Sequence, residues 1–380
     1  MKLGIITSMA STPWGGSEEL WVALAQKAIN SDVQVSVSVY DWNQLPIKVQ
    51  RIKEAGASIH LRSRISYTDF VGKVKGKLNQ LLVAEKQLHE FVKEQKCDIV
   101  LLSTGAFCDL EINPLRKFLL KTEIPFCIVI HSNTETHQVE SSKIKEIQEV
   151  CAKAKAMFFV SKRIQAQSEK QINVKLSNAL PAINPLNIDM LGILPLPDMD
   201  IIKMACVGSL QVAVKGQDLL IQVLASQKWK ERNWELSLFG YGPDEELIKR
   251  MIAANDLNDR IFLRGFTNDI RQEVWSKHHL LVMPSFIEGM PIALLEAMLC
   301  GRPAVVTDVG GNKEIVIDNH SGYIAATTNV SEVDNALERA WNDRSNWAIK
   351  GANAFEDASR FYGKDPIGDL LKLIEQKAAK

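Results

Sequence analysis

The feature that most constrains this chain is an alternation. Short runs of β-branched and aromatic residues recur between longer stretches of helical periodicity, and the rhythm is interrupted once. Candidate strands in the first half are LGIIT from Leu3, VSVSV from Val35, DIVLL from Asp98, PFCIVI from Pro125 and AMFFV from Ala156. Helical periodicity fills the intervals, most clearly from Glu18 to Ala28 and from Val83 to Val92. Strands spaced by helices predict an α/β class with parallel sheets. From Ser177 to Asp200 four prolines fall in 24 residues without sustained periodicity, as a linker reads. The rhythm then restarts, with IKMACVGSL, WELSLFG, RIFLRGF, LLVMPS and PAVVTD as strands. Two α/β units in tandem are expected, over 1–180 and 181–355. The tail from Ser345 is helical in pattern, broken near Gly363 and Pro366, and a C-terminal helix over 356–380 can return to the first unit.

A length of 380 residues agrees with that division, at roughly 150 residues per domain. Lys plus Arg and Asp plus Glu both number 45, so no global field attracts nucleic acid, and partners must be sought in local patches. The six cysteines are never closer than eleven positions and mostly lie in apolar runs. They read as small buried hydrophobes rather than disulfides or metal ligands. The start MKLGIITS lacks a signal peptide's apolar stretch, and no run approaches the ~18 apolar residues of a membrane span. A cytoplasmic location is the expectation.

The densest chemistry lies between Met283 and Gly311, MPSFIEGMPIALLEAMLCGRPAVVTDVGG. Glu288 and Glu296 would lie ~80° apart if both were on one helix. Gly289 and Pro291 favour another picture: Glu288 in a strand-to-helix loop, Pro291 in the first helical turn and Glu296 one to two turns in, with Ile292, Leu295 and Leu299 buried. Free N–H groups at such a helix start favour an anion or sugar oxygens. In VGSLQVAVKGQDLLIQVL, Gly208 ends a strand and Lys215-Gly216 opens a helix, so the Lys can reach a phosphate. A solvated surface lysine is the equal alternative. In LFGYGPDEELI, Gly240 and Gly242 let the backbone turn tightly against a flat ligand, and Asp244 suits a helix N-cap. In the first half, Gly15-Gly16 precede a helix that Ser17 can cap, with Glu18 and Glu19 against its dipole. His131 follows the run PFCIVI at a strand's carboxyl end, where ligands bind in open α/β sheets.

Together these residues resemble the family 4 retaining glycosyltransferases, whose signature is a Glu, seven intervening residues and a second Glu, here SFIEGMPIALLEAMLCGRP. VGSL…KGQDLL, LFGYGP, RGF and GGSE occur in that family's order. The resemblance is strong from Ala205 to Ala325, fair from Met1 to Ile29 and poor from Trp42 to Cys97. It implies a GT-B architecture, two Rossmann-like domains facing a cleft, with a nucleotide-diphosphate sugar as co-substrate and no metal or other cofactor. By analogy Glu288 would contact donor sugar hydroxyls, beside backbone N–H groups of Gly289, Met290 and Pro291, and Glu296 would hold the ribose. Lys215 would neutralise the diphosphate, with Gly16 offering an N–H. The base would lie near Gly240, Gly242 and Phe266, while His131 would approach the sugar from the acceptor side. Catalytic roles then fall to Glu288, Lys215 and His131, with Gly208 and Ser209 in the donor loop. The acceptor would be a hydroxyl of a glycan or lipid-linked glycan, in surface polysaccharide or glycolipid synthesis.

One departure matters: the family commonly places an Arg where this chain has Ser209. Arg264 is a candidate replacement. Ser209 also leaves open a sugar-nucleotide-binding protein without catalysis. An NAD-dependent dehydrogenase is disfavoured because neither glycine-rich turn completes the dinucleotide fingerprint. Finally, Arg51 to Lys96 holds ten basic and five acidic residues. Lys73, Lys75 and Lys77 cluster there with Val71, Val74, Leu78, Leu81 and Leu82, as either a solvated helix or a peripheral contact with an anionic membrane.

Overall fold

The computed structural model describes residues 1–10, 12–63, 74–188 and 191–379, and the side chains of the helix beginning at Val74 from residue 83 onward. The basic cluster from Val71 to Leu82 therefore lies outside the described side chains. The chain divides into two compact units, 1–185 with 365–380, and 186–364.

The first unit is a seven-stranded parallel sheet. Its strands are β1 (Lys2–Thr7), β2 (Gln34–Tyr40), β3 (Ser58–Arg62), β4 (Ile99–Thr104), β5 (Phe126–Ile130), β6 (Ala156–Phe159) and β7 (Ala179–Pro181), in the order 3-2-1-4-5-6-7. Central β4 and β5 are buried at every position, which is why they read as unbroken apolar runs. β3 and β7 escape the sequence pattern: SIHLR carries a His and an Arg, and ALP is three residues long. The helix Gly16–Ile29 buries Leu20, Trp21, Leu24 and Ala28 against Leu3, Ile5, Val35 and Val37.

The second unit holds β8 (Ile202–Val207), β9 (Trp234–Phe239), β10 (Ile261–Gly265), β11 (Leu280–Met283), β12 (Ala304–Thr307) and β13 (Gly322–Ala325), all parallel, in the order 10-9-8-11-12-13. Arg302, 0% exposed, fastens the proline-rich entry segment to this unit. Its Nε donates to the Trp275 carbonyl at 2.8 Å, Nη1 to Leu194 at 2.8 Å and Nη2 to Pro195 at 2.7 Å. In both sheets the strand order reverses beside the first strand, between β1 and β4 and between β8 and β11. The carboxyl ends at such switch points are where open α/β sheets bind ligands.

The unit limits differ from the expected 180 and 355. Pro181 ends a strand still paired in the first sheet. The helix Trp347–Tyr362 runs through residue 355 within the second unit, burying Trp347, Gly351, Ala354 and Ala358. Only the following helix, Pro366–Ala378, belongs to the first unit, where Ile367, Leu370, Leu371 and Ile374 join its core and Lys27 Nζ meets Asp365 Oδ2 at 2.7 Å. Five of the six cysteines are buried and all six are free thiols. Among the described residues no helix is long and apolar enough to cross a membrane.

Candidate functional site

The site is built where β8 and β11 end. After β8 the chain turns at Gly208, forms the short helix Val212–Lys215, passes through Gly216 at φ 67° and enters the helix Gln217–Leu224. Lys215 thus ends one helix instead of opening the next. Gly216 is obligatory at this turn, because a Cβ there would sit 2.2 Å from the Pro284 carbonyl oxygen. The Lys215 stem folds over Gly208, its Cε 3.4 Å from where a Cβ would be. Its Nζ donates to Glu288 Oε1 at 2.7 Å, and Ser285 Oγ donates to the same oxygen at 2.7 Å.

Glu288 is 6% exposed, in the loop joining β11 to the helix Ile292–Leu299. That loop is braced from two sides. Phe286 and Ile287 N–H donate to the Val214 carbonyl at 2.9 and 3.2 Å, and Gly311 N–H donates to Gly289 at 2.7 Å. Gly310, at φ 51°, approaches so closely that a Cβ would lie 2.2 Å from the Glu288 carbonyl oxygen. Pro291 is the residue before the helix, with φ −73°, and as a proline it has no N–H to offer a ligand. Leu295 and Leu299 are fully buried as expected, Ile292 only half-buried.

Glu296 is 2% exposed, and its Oε1 accepts the Asn187 N–H at 2.7 Å. Its expected ribose contact must be shared with this backbone bond. Ser209 is exposed, and its carbonyl is held by Gln217 Nε2 at 2.8 Å. Arg264 is turned onto its own sheet, Nε 3.4 Å from Ser237 Oγ and Cζ 4.6 Å from the Phe262 ring centroid. It does not stand in the Lys215 loop.

The glycine turn after β9 is dictated by close backbone approach. A Cβ on Gly240 would meet the Gly208 carbonyl oxygen at 2.0 Å, and one on Gly242 the Leu210 carbonyl oxygen at 2.2 Å. Asp244 precedes the helix Glu245–Ala254 but makes no side-chain cap to it. Its Oδ2 instead accepts the Val212 N–H at 2.8 Å, tying the two loops together. Phe266 is 65% exposed, and Tyr241, which the sequence reading missed, is 66% exposed with its hydroxyl near Gly265. Ser285 was missed too; its only sequence signal is its place three residues before Glu288.

His131 and Gly16 stand in the first unit. His131 is 6% exposed, its Nε2 3.3 Å from Ser103 Oγ at the end of β4; burial pushes its pKa down to about 4, partly offset by Asn184. It is a neutral imidazole at pH 7. Gly16 is the first residue of its helix and open space surrounds it. Ser17 does not cap that helix, and its side chain bonds the Glu18 carboxylate instead. Glu18 is not a solvated dipole partner. It turns inward, 4% exposed, accepting Thr7 Oγ1 at 3.0 Å and Trp21 Nε1 at 2.8 Å, and burial raises its pKa to about 7.

Residues 202–343 match the family model described as glycosyl transferases group 1. Over 160 residues the chain is 28% identical to the alpha-D-kanosaminyltransferase of Streptomyces kanamyceticus, covering 42% of each chain. It is equally identical, over 160 residues, to the poly(ribitol-phosphate) alpha-N-acetylglucosaminyltransferase of Staphylococcus aureus, covering 42% of this chain and 32% of that enzyme. The matched stretch thus spans less than half the length of these curated relatives. In three dimensions the chain is similar to Anabaena HepE in complex with UDP, with a TM-score of 0.72, 16% identity and full coverage of both chains. The fold is GT-B, two Rossmann-like parallel-sheet units, and the second unit carries the sequence similarity to glycosyltransferases.

Proposed function

We propose that this chain is a retaining glycosyltransferase of family 4, moving a hexose-type sugar from a nucleotide diphosphate to a hydroxyl of a glycan or lipid-linked acceptor in surface polysaccharide or glycolipid synthesis. The observation that carries the reading is the meeting of Lys215 and Glu288, 2.7 Å apart, at the carboxyl ends of β8 and β11. A fixed cation and a fixed carboxylate there suit the two halves of a nucleotide sugar. Lys215 faces the diphosphate, and Glu288 with the Gly289 and Met290 N–H groups faces the sugar hydroxyls. The nucleoside lies along Gly240 and Gly242 beside Tyr241 and Phe266, and Glu296 takes the ribose.

In the reaction the bond from the anomeric carbon to the phosphate oxygen breaks, and the electron pair leaves with the diphosphate. Lys215 and the helix N–H groups stabilise that developing charge without reorganising. The acceptor hydroxyl bonds to the same face, and its proton passes to the departing phosphate oxygen. His131, neutral at pH 7, orients the sugar by hydrogen bonding and carries no charge. No step calls on a metal ion. Incubation with UDP-, GDP- and ADP-sugars and mixed glycan acceptors tests the reading: release of one nucleoside diphosphate with an α-configured product by NMR, unchanged by EDTA, is expected. Inversion of configuration removes the retaining assignment; absence of turnover with every donor removes the activity.

One observation favours a second reading, a nucleotide-sugar-binding protein without catalysis. Ser209 supplies no cation, and Arg264 is bonded toward Ser237 instead. Tight donor binding with neither transfer nor hydrolysis would select it.

A further inference from the structure

We propose that Asp244 is a positioning residue for Lys215, acting across two loops through the short helix Val212–Lys215. That helix is four residues long, and a single turn does not keep its shape in water unaided. Gln211, the residue before it, makes no side-chain cap. The Val212 N–H is taken instead by Asp244 Oδ2 at 2.8 Å, from 32 positions away, which also sets a carboxylate against the positive end of the turn. Asp244 forgoes a cap on the helix it precedes to make this bond.

The carboxylate is itself held in place. The Asp244 N–H donates to the Leu210 carbonyl and the Leu210 N–H to the Tyr241 carbonyl, both at 3.0 Å, so the two loops are bonded backbone to backbone on either side of it. The far end of the helix is fixed as well, because the Val214 carbonyl accepts the Phe286 and Ile287 N–H groups. Lys215 is the next residue. With the first donor and a last-turn acceptor both anchored, the direction in which the lysine leaves the helix is set, and its ammonium falls 2.7 Å from Glu288 Oε1. Asp244→Ala would leave the Val212 N–H to water and let the turn loosen, freeing Lys215 from Glu288. Asp244→Asn keeps an acceptor in the same place, weaker because it carries no charge. That Lys215 so placed serves a diphosphate rests on the function proposed above; its positioning by Asp244 does not.

Competitive acetylation of the full chain with acetic anhydride, read by peptide mass spectrometry, tests the link without any nucleotide. The Lys215 side chain is 21% exposed, so the reagent reaches it. In Asp244→Ala it should label about fivefold faster than in wild type, the range of a partly exposed ion pair, while Lys277, paired with Glu273, labels as before. Asp244→Asn should give a rise of only about twofold, and it decides the matter if the alanine variant does not fold. No rise at Lys215 in the folded variants, or an equal rise at Lys277, overturns the proposal. Calorimetry with UDP and GDP carries the link to the donor. Asp244→Ala should weaken binding about fivefold when Lys215 is present and leave it unchanged in Lys215→Ala, where nothing remains to be positioned. Equal losses in both backgrounds would make Asp244 a support of the glycine turn alone and overturn the proposal. If wild type binds neither nucleotide, the donor reading fails, and acetylation by itself decides the role of Asp244.

Discussion

Lys215 and Glu288 neutralise each other: the ammonium is 2.7 Å from Oε1, with Ser285 Oγ on the same oxygen. On the function proposed above, the cation would face a diphosphate and the carboxylate a sugar, so donor binding would exchange this pair for two new ones.

Removing the cation leaves Glu288 with Ser285 alone. Lys215→Ala should weaken UDP or GDP binding roughly 10- to 100-fold, the range of a hydrogen bond to a charged group, with little change in melting temperature. Calorimetry with both nucleotides checks it.

Glu288→Gln acts in the opposite sense on the bare nucleotide. The freed Lys215 should bind a nucleoside diphosphate about fivefold more tightly, equivalent to ~1 kcal/mol for a partly exposed ion pair. Transfer should nevertheless fall, because the sugar loses its carboxylate contact. Comparing nucleotide affinity with turnover in the same variant separates the two effects.

Gly240→Ala would place a methyl 2.0 Å from the Gly208 carbonyl oxygen on a backbone at φ 131°. The loop must shift, and a loss of about 2–3 kcal/mol with loss of nucleotide binding is expected. Urea unfolding and calorimetry report the two consequences.

Two buried groups of the first unit give opposing pH dependences. Glu18 keeps its proton to about pH 7 when folded, against 4.5 unfolded, so its contribution to stability falls as pH rises from 4.5 to 7 and then levels off. His131 refuses a proton down to about pH 4 when folded, against 6.5 unfolded, so stability falls as pH drops from 6.5 to 4. The slopes offset each other between about 4.5 and 6.5. Glu18→Gln should expose the histidine slope and exceed wild type at pH 8 by up to about 3 kcal/mol. Denaturant unfolding across that pH range checks both signs.

Arg302→Met strands the carbonyls of Trp275, Leu194 and Pro195. A loss of about 2–4 kcal/mol in the second unit is expected, visible by calorimetry, with the 186–200 segment becoming more susceptible to protease.

Much of this architecture was legible without coordinates of any kind. Strands such as IVLLST and FCIVI are buried on both faces, so their composition announces them. Glycines after strands and the Glu-x7-Glu spacing marked the loops at the strand ends, here proposed to hold the donor, because tight backbone turns restrict which residues can stand there. β3, β7 and β13 were missed, being edge strands with mixed or brief sequences. What only the tertiary structure decided is where the polar side chains point. Ser17 and Asp244 each had a local helix-capping role available and Glu18 a place against its helix dipole, and each was overruled. Glu18 turned inward to Thr7 and Trp21, Asp244 bonded Val212, and Ser17 bonded the Glu18 carboxylate. Lys215 and Glu288 lie 73 positions apart and meet only because β8 and β11 are neighbours in the sheet. Periodicity records which face of an element is apolar; the partner of a buried charge is set by whatever the folded chain brings within hydrogen-bonding reach.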